Sequence, residues 1–226
     1  MSTGLVYIMA AIAFGGSWLV KRWLKTTYAQ WSQVPNTFGI TGAQTAAAIL
    51  ARKGITNVRI ERVKGSLTDH FDPARDILRL SQSNHDSISV AAMAVSAHEA
   101  GHAIQDYRDD IRLRLRKYMV PVAALGGRFS PWLLMGGFLL QSDTLLRWGA
   151  FLLVGTLIFQ LLTLPVEFNA SRRAYENLEE LGFTDPEQKK GTRRVLTAAA
   201  LTYVAAAATS IAYIATIWAT TRGRRL

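Results

Sequence analysis

The sequence predicts a mainly α integral membrane protein: about four transmembrane helices and a small α+β cytoplasmic domain that carries an HExxH helix. Three observations predict it. Half of the 226 residues are hydrophobic, yet the 19% that are charged avoid several long stretches. The 26 Lys and Arg outnumber the 16 Asp and Glu and gather mainly in two blocks between those stretches. Two histidines four residues apart, His98 and His102, lie with Glu99 in an alanine-rich run.

The elements follow in order. Residues 1–20 carry no charged side chain, and about 20 apolar residues suffice to cross a bilayer. The first basic cluster, Lys21, Arg22 and Lys25, comes after the apolar run. A secretory signal peptide has the reverse order, so this segment reads as a retained anchor with its C-terminal end inside. Residues 21–117 are polar and broken by Gly, Asn and Pro, and form the only segment long enough to fold outside the membrane. Within it a helix is expected near 41–53, with Thr41 as N-cap and Gly54 just past the end. Short β-like runs at 57–62 and 76–80 are joined by the turn-rich stretch Gly65 to Pro73. The run Ile77 to Leu80 reads either as an edge strand open to an extended peptide or as an ordinary hairpin strand. A helix over about 87–106 follows, then a basic juxtamembrane segment at 111–117. The second span is 118–142, whose only charge is Arg128, and the third is 146–167. Residues 168–194 form a charged helical segment with a helix-start signal at Asp185-Pro186, and 195–221 is the fourth span.

Charge orients this arrangement. Four spans put 21–117 and 168–194 on one side, and these two segments hold most of the Lys and Arg. The positive-inside rule makes that side cytoplasmic. Arg222, Arg224 and Arg225 would then lie outside, a conflict that a re-entrant last segment would remove. Basic residues beside membrane spans meet anionic lipid headgroups, so the net charge of +10 does not indicate nucleic acid. The chain has no cysteine, which excludes disulfides and Cys-based zinc sites.

The chemistry resides in His98-Glu99-Ala100-Gly101-His102. On a helix, residues four apart share a face, so both imidazoles can converge on one ion at about 2.0–2.1 Å, the Zn–N distance. Glu99 lies about 100° further round, out of line with the two ligands but able to reach an open coordination position. From there it can take a proton from a water and pass it to a leaving amine. A chance HExxH would occur in roughly two such chains in a thousand. A catalytic zinc usually has a third protein ligand. The candidates are His70, His85 and the carboxylates Glu167, Glu176, Glu179 and Glu180. Glu167 stands out, because it follows Pro165 at the cytoplasmic end of the third span. A carboxylate placed there needs a partner, which would be a metal or a nearby arginine.

The segments HEAGHAIQ (98–105), LTDHFDP (67–73), LPVEFNAS (164–171) and VLTAAALTYVAAA (195–207) together resemble the YugP-type membrane zinc metallopeptidases over nearly the whole chain. That resemblance implies a zincin-like, gluzincin-like site with one Zn2+, held by His98, His102 and a downstream glutamate, with Glu99 as catalytic base. It is more distantly similar to the HtpX-type membrane proteases, whose third ligand opens an ExxAD motif. Carried over, that Glu falls on Glu167 and the Ala on Ala170, while Ser171 stands where the Asp would be. Asn169 would then be the residue expected to substitute for the missing support. Further residues considered for supporting or substrate roles are His70, Arg172, Arg173 and Tyr203, and His85 reads as decorating the loop before the helix.

The sequence therefore predicts a multi-pass enzyme of the bacterial plasma membrane, its site on the cytoplasmic side, that hydrolyses peptides or membrane proteins. An intramembrane site-2-type protease would split the basic residues between the two sides. A non-catalytic zinc-binding adaptor would have no need of Glu99.

Overall fold

The computed structural model describes residues 3–183 and 185–223. Arg224 and Arg225, whose side of the membrane the four-span topology left in conflict, lie outside the described residues. The chain runs α1 (Thr3–Ser32), α2 (Gly42–Arg52), β1 (Arg59–Val63), β2 (His70–Asp72), β3 (Ile77–Ser81), α3 (Gln82–His85), α4 (Val90–Tyr107), α5 (Ile111–Leu139), α6 (Asp143–Glu180) and α7 (Pro186–Gly223). It divides into two compact units. One gathers Arg22–Leu113 and Val166–Ala200, and the other holds the N-terminal part of α1, α5 from Arg114, α6 up to Pro165 and α7 from Leu201.

In the first of these units local signals fix the elements. Thr41 closes a capping box with Gln44: its hydroxyl accepts the Gln44 amide, and its own amide donates to the Gln44 side chain at 2.8 Å. At the other end of α2, Gly54 takes φ +71°. The Ile55 and Gly54 amides return to the Leu50 and Ala51 carbonyls, the pattern of a Schellman stop. The buried face Thr45, Ala46, Ile49 and Leu50 has helical spacing.

The sheet has the order β1-β3-β2, with β1 parallel and β2 antiparallel to β3. β3 is therefore the central strand, not an edge, and the peptide-accepting edge considered for Ile77 to Leu80 is not there. Ile77 to Leu80 is instead the second strand of a hairpin with β2, and the runs at 57–62 and 76–80 pair in parallel. β2 consists of three residues at the end of the turn-rich stretch and is joined to β3 by the tight turn Pro73 to Asp76. Asp72 accepts the Ala74 amide in that turn, and Asp76 takes φ +52°. The loop before β2 is pinned by Asp69, which accepts from the Ser81 amide at 2.7 Å and the Asn84 side chain at 2.8 Å. Asn84 in turn accepts from the Tyr28 hydroxyl on α1.

α4 crosses the middle of this unit, capped by the Ser89 hydroxyl on the Ala92 amide. It is buried on nearly every side, among Ile49, Leu78, Leu80, Ala174 and Leu178. Its alanines and Gly101 allow close neighbours: a Cβ at Gly101 would sit 2.7 Å from the Ala170 carbonyl oxygen of α6. α6 does not stop at 167 but continues as one helix to Glu180, so the expected 168–194 segment is the end of α6 and the start of α7. Asp185 caps α7 by accepting the Glu187 and Gln188 amides.

In the other unit, α5 and α6 also meet through small residues. The Ser130 hydroxyl donates to the Gly149 carbonyl at 2.9 Å, and a Cβ at Gly126 would lie 2.6 Å from the Leu152 carbonyl oxygen. Large apolar side chains point outward on every helix of this unit, among them Phe14, Trp18, Trp132, Phe151 and Trp218. Among the described residues, α6 and α7 are long and apolar enough to cross a membrane. The expected spans at 1–20 and 118–142 fall on α1 and α5. Arg128, Pro121, Pro131 and a set of glycines dilute the apolar character of α5.

Candidate metal centre

His98 and His102 sit one turn apart on α4, and Glu167 reaches them from α6. Their rings lie 4.8 Å apart, edge to face, at 86°. One Glu167 oxygen stands 3.2 Å from Nε2 of His98 and 3.6 Å from Nε2 of His102. Two ligand atoms on a tetrahedral zinc at about 2.0–2.1 Å stand about 3.3–3.4 Å apart; the two carboxylate–imidazole distances bracket that spacing, and the three ligand atoms all lie within 4.8 Å of one another, a group that could hold one ion. All three side chains are buried or nearly so, with 14%, 10% and 3% of their surface exposed.

The partners behind the imidazoles point the same way. Nδ1 of His102 meets the side-chain oxygen of Gln105 at 2.9 Å. That oxygen can only accept, so Nδ1 carries the proton and, in the neutral ring, Nε2 presents its lone pair toward Glu167. Two acceptors then face each other in a buried place, a conflict that a cation between them, or a further proton, resolves. Nδ1 of His98 meets the Ser171 hydroxyl at 3.2 Å. The donor set of two imidazoles and one carboxylate suits zinc.

Glu99 is buried beside this cluster, 8% exposed. Burial pushes its carboxyl up to about 7, opposed by the positive field of His98 and helped by the negative charges of Glu167 and Asp69. A hydrogen bond from the Phe71 backbone on β2 favours its ionised form. A carboxylate poised near neutrality is suited to exchange protons at physiological pH.

The structure distributes the other candidates as follows. Asn169 accepts from Gln105 and from Nε of Arg173, at 3.0 and 2.7 Å. Arg172 is exposed and lies 3.6 Å from Glu176. His70 is exposed on β2, with Nδ1 on the Thr68 carbonyl and Nε2 3.4 Å from Arg79. His85 lies on α3, 2.6 Å from an Asp86 oxygen. Neither belongs to the convergent group His98, His102 and Glu167. Tyr203 belongs to the other unit. Glu176 lies on the exposed side of α6, while Glu179 pairs with Lys189 and Glu180 with Lys53. Three contributors lie outside the residues the sequence points to. Gln105 stands three residues after His102, hence on the same helix face, which is the signal that could have found it. Asp69 and the Phe71 amide lie in the LTDHFDP stretch, where the sequence points to His70 alone.

Residues 6–222 match the family model described as "Putative neutral zinc metallopeptidase". The chain is also 41% identical over 207 residues to the "Putative membrane protease YugP" of Bacillus subtilis (strain 168), covering 92% of each chain. No solved structure matches it.

Proposed function

The chain belongs to the neutral zinc metallopeptidase family, and from that premise we propose that it is a membrane-embedded endopeptidase with His98, His102 and Glu167 as zinc ligands and Glu99 as general base. The observation that carries the reading is the convergence of two imidazole nitrogens on one buried carboxylate oxygen, at 3.2 and 3.6 Å, with Glu99 buried alongside.

Zinc, when bound, supplies a Lewis acid that polarises the scissile carbonyl and makes a water nucleophilic at neutral pH. The chain's own residues do the rest. Glu99 takes the proton of the attacking water on a carboxylate oxygen and returns it to the departing amine nitrogen. The Phe71 amide holds the Glu99 carboxylate in place while it is charged. Gln105 and Ser171 hold the two imidazoles from behind.

The same reading includes a multi-pass topology with α1, α5, α6 and α7 as spans and the site on the cytoplasmic side, supported by the outward apolar side chains and by the basic blocks. Peptides or membrane proteins are its substrates, and anionic headgroups meet its juxtamembrane arginines and lysines. Packing of α4 within a unit that contains a sheet favours this over an intramembrane protease whose HExxH helix spans the bilayer.

Cleavage of a panel of peptides and membrane proteins by the detergent-purified chain, beside a Glu99→Gln variant of measured zinc content, tests the proposal. Activity that disappears in a variant still holding about one zinc supports it. A zinc-loaded wild type that cleaves nothing would favour a non-catalytic adaptor.

A further inference from the structure

The Gln105 side chain has three polar partners and almost no exposure, 1%. Its amide orientation is determined twice over. The side-chain nitrogen lies 2.9 Å from the Val166 backbone carbonyl, which can only accept. It also lies 3.0 Å from the Asn169 side-chain oxygen. That oxygen is itself fixed as an acceptor by Nε of Arg173 at 2.7 Å, because a guanidinium has no acceptor to offer. Both N–H bonds of the Gln105 amide are thereby directed at α6, so its oxygen must face His102. An exchange of the amide oxygen and nitrogen would set oxygen against two oxygens, losing both bonds to α6, and would leave nitrogen facing Nδ1, a bond possible only with the His102 proton moved to Nε2.

A neutral imidazole has two tautomers, and only one of them leaves Nε2 free to bind a metal when Nδ1 points away from it. The Gln105 oxygen selects that tautomer. We propose that Gln105 is a positioning residue of the metal centre: it accepts the Nδ1 proton of His102 and thereby presets the Nε2 lone pair toward the ion, with Val166, Asn169 and Arg173 fixing which way its amide points. The inference rests on the reading of His98, His102 and Glu167 as zinc ligands, and assigns a role to a residue outside that set. The partner is uncharged, so His102 is oriented without the extra electron donation that a carboxylate would give.

The test is zinc affinity, measured by chelator competition on the detergent-purified full chain, together with thermal unfolding of each metal-free variant. Gln105→Leu removes the acceptor at similar volume and is expected to bind zinc about 10–100-fold more weakly. Gln105→Met keeps the length of the side chain and carries the same expectation if the leucine variant does not fold. Gln105→Glu retains an oxygen toward His102 while losing both donors to α6, and is expected to recover most of the affinity. Two outcomes overturn the proposal. One is a leucine or methionine variant that binds zinc as tightly as wild type. The other is a glutamate variant as weak as the leucine one at equal metal-free stability, which would show that the latch to α6 matters and proton acceptance does not. A wild type that binds no zinc would instead remove the metallopeptidase reading itself.

Discussion

Glu99 carries a cost that becomes measurable when the metal is removed. Burial holds its carboxyl at about 7, against an ordinary value of 4.5. Between those two values the folded chain keeps a proton that the unfolded chain has released, so stability falls as pH rises from about 4.5 through about 7. The difference of about 2.5, at about 1.36 kcal/mol for each pKa unit, amounts to roughly 3 kcal/mol. Glu99→Gln cannot ionise and has no such slope. In chelator-treated protein we therefore expect the variant to be more stable than wild type at pH 8 by roughly 3 kcal/mol, and nearly equal to it at pH 4.5. For a chain of this length that corresponds to about 6–12 °C in unfolding temperature. Thermal unfolding of both proteins in detergent, at the two pH values and with and without zinc, gives the answer. Zinc should narrow the gap at pH 8, since a nearby cation favours the charged carboxylate. A gap of the same size at both pH values, or a variant less stable than wild type at pH 8, would refute the reasoning.

Other changes probe the rest of the site and the fold. Gly101→Ala puts a Cβ only 2.7 Å from the Ala170 carbonyl oxygen; we expect a loss of about 1–3 kcal/mol together with weaker zinc binding, read by unfolding and by chelator competition. Glu167→Gln removes the charge that two imidazoles face, and the purified variant should hold much less than one zinc by elemental analysis. Ser171→Ala takes away the partner of His98 Nδ1 and should weaken zinc about tenfold while leaving metal-free stability within about 1 kcal/mol. Thr41→Ala breaks the capping box of α2 and should destabilise the chain by about 1 kcal/mol with zinc affinity unchanged.

What the sequence disclosed, and what it withheld, follows the range of the interactions involved. α2 and α4 were legible because their signals are local: Thr41 with Gln44, Gly54 past the end, and the 98–102 spacing all act within two turns. Glu167 was legible because its sequence setting, just after Pro165 at the end of an apolar run, is unusual for a carboxylate. The sheet was less so. β2 is only three residues, His70-Phe71-Asp72, too short for a periodic pattern to stand out, and the parallel pairing of β1 with β3 depends on a contact across the intervening loop. The span expected over 146–167 and the helical segment expected from 168 are continuous in α6 as far as Glu180, because a loss of apolar character does not by itself end a helix. Gln105 escaped because its role depends on which end of an amide faces which helix, and no spacing encodes that.

The burial of α4 has a consequence for how this chain can drift. An ordinary surface helix tolerates change along one stripe, and its pattern of permitted substitutions repeats about every 3.6 residues. α4 has little such stripe: Val90 to Ala94, Ser96, Ala97 and Glu99 to Gln105 are all enclosed. Most of the enclosed residues are already too small to shrink further, so the available changes are enlargements, which a close-packed interior resists. A saturation scan of the helix would then show intolerance round most of its circumference, with permitted changes gathered near Tyr107 at its exposed end. Variation in homologous chains would have to collect elsewhere, and the segment bearing the two histidines would be held nearly invariant by packing as much as by chemistry.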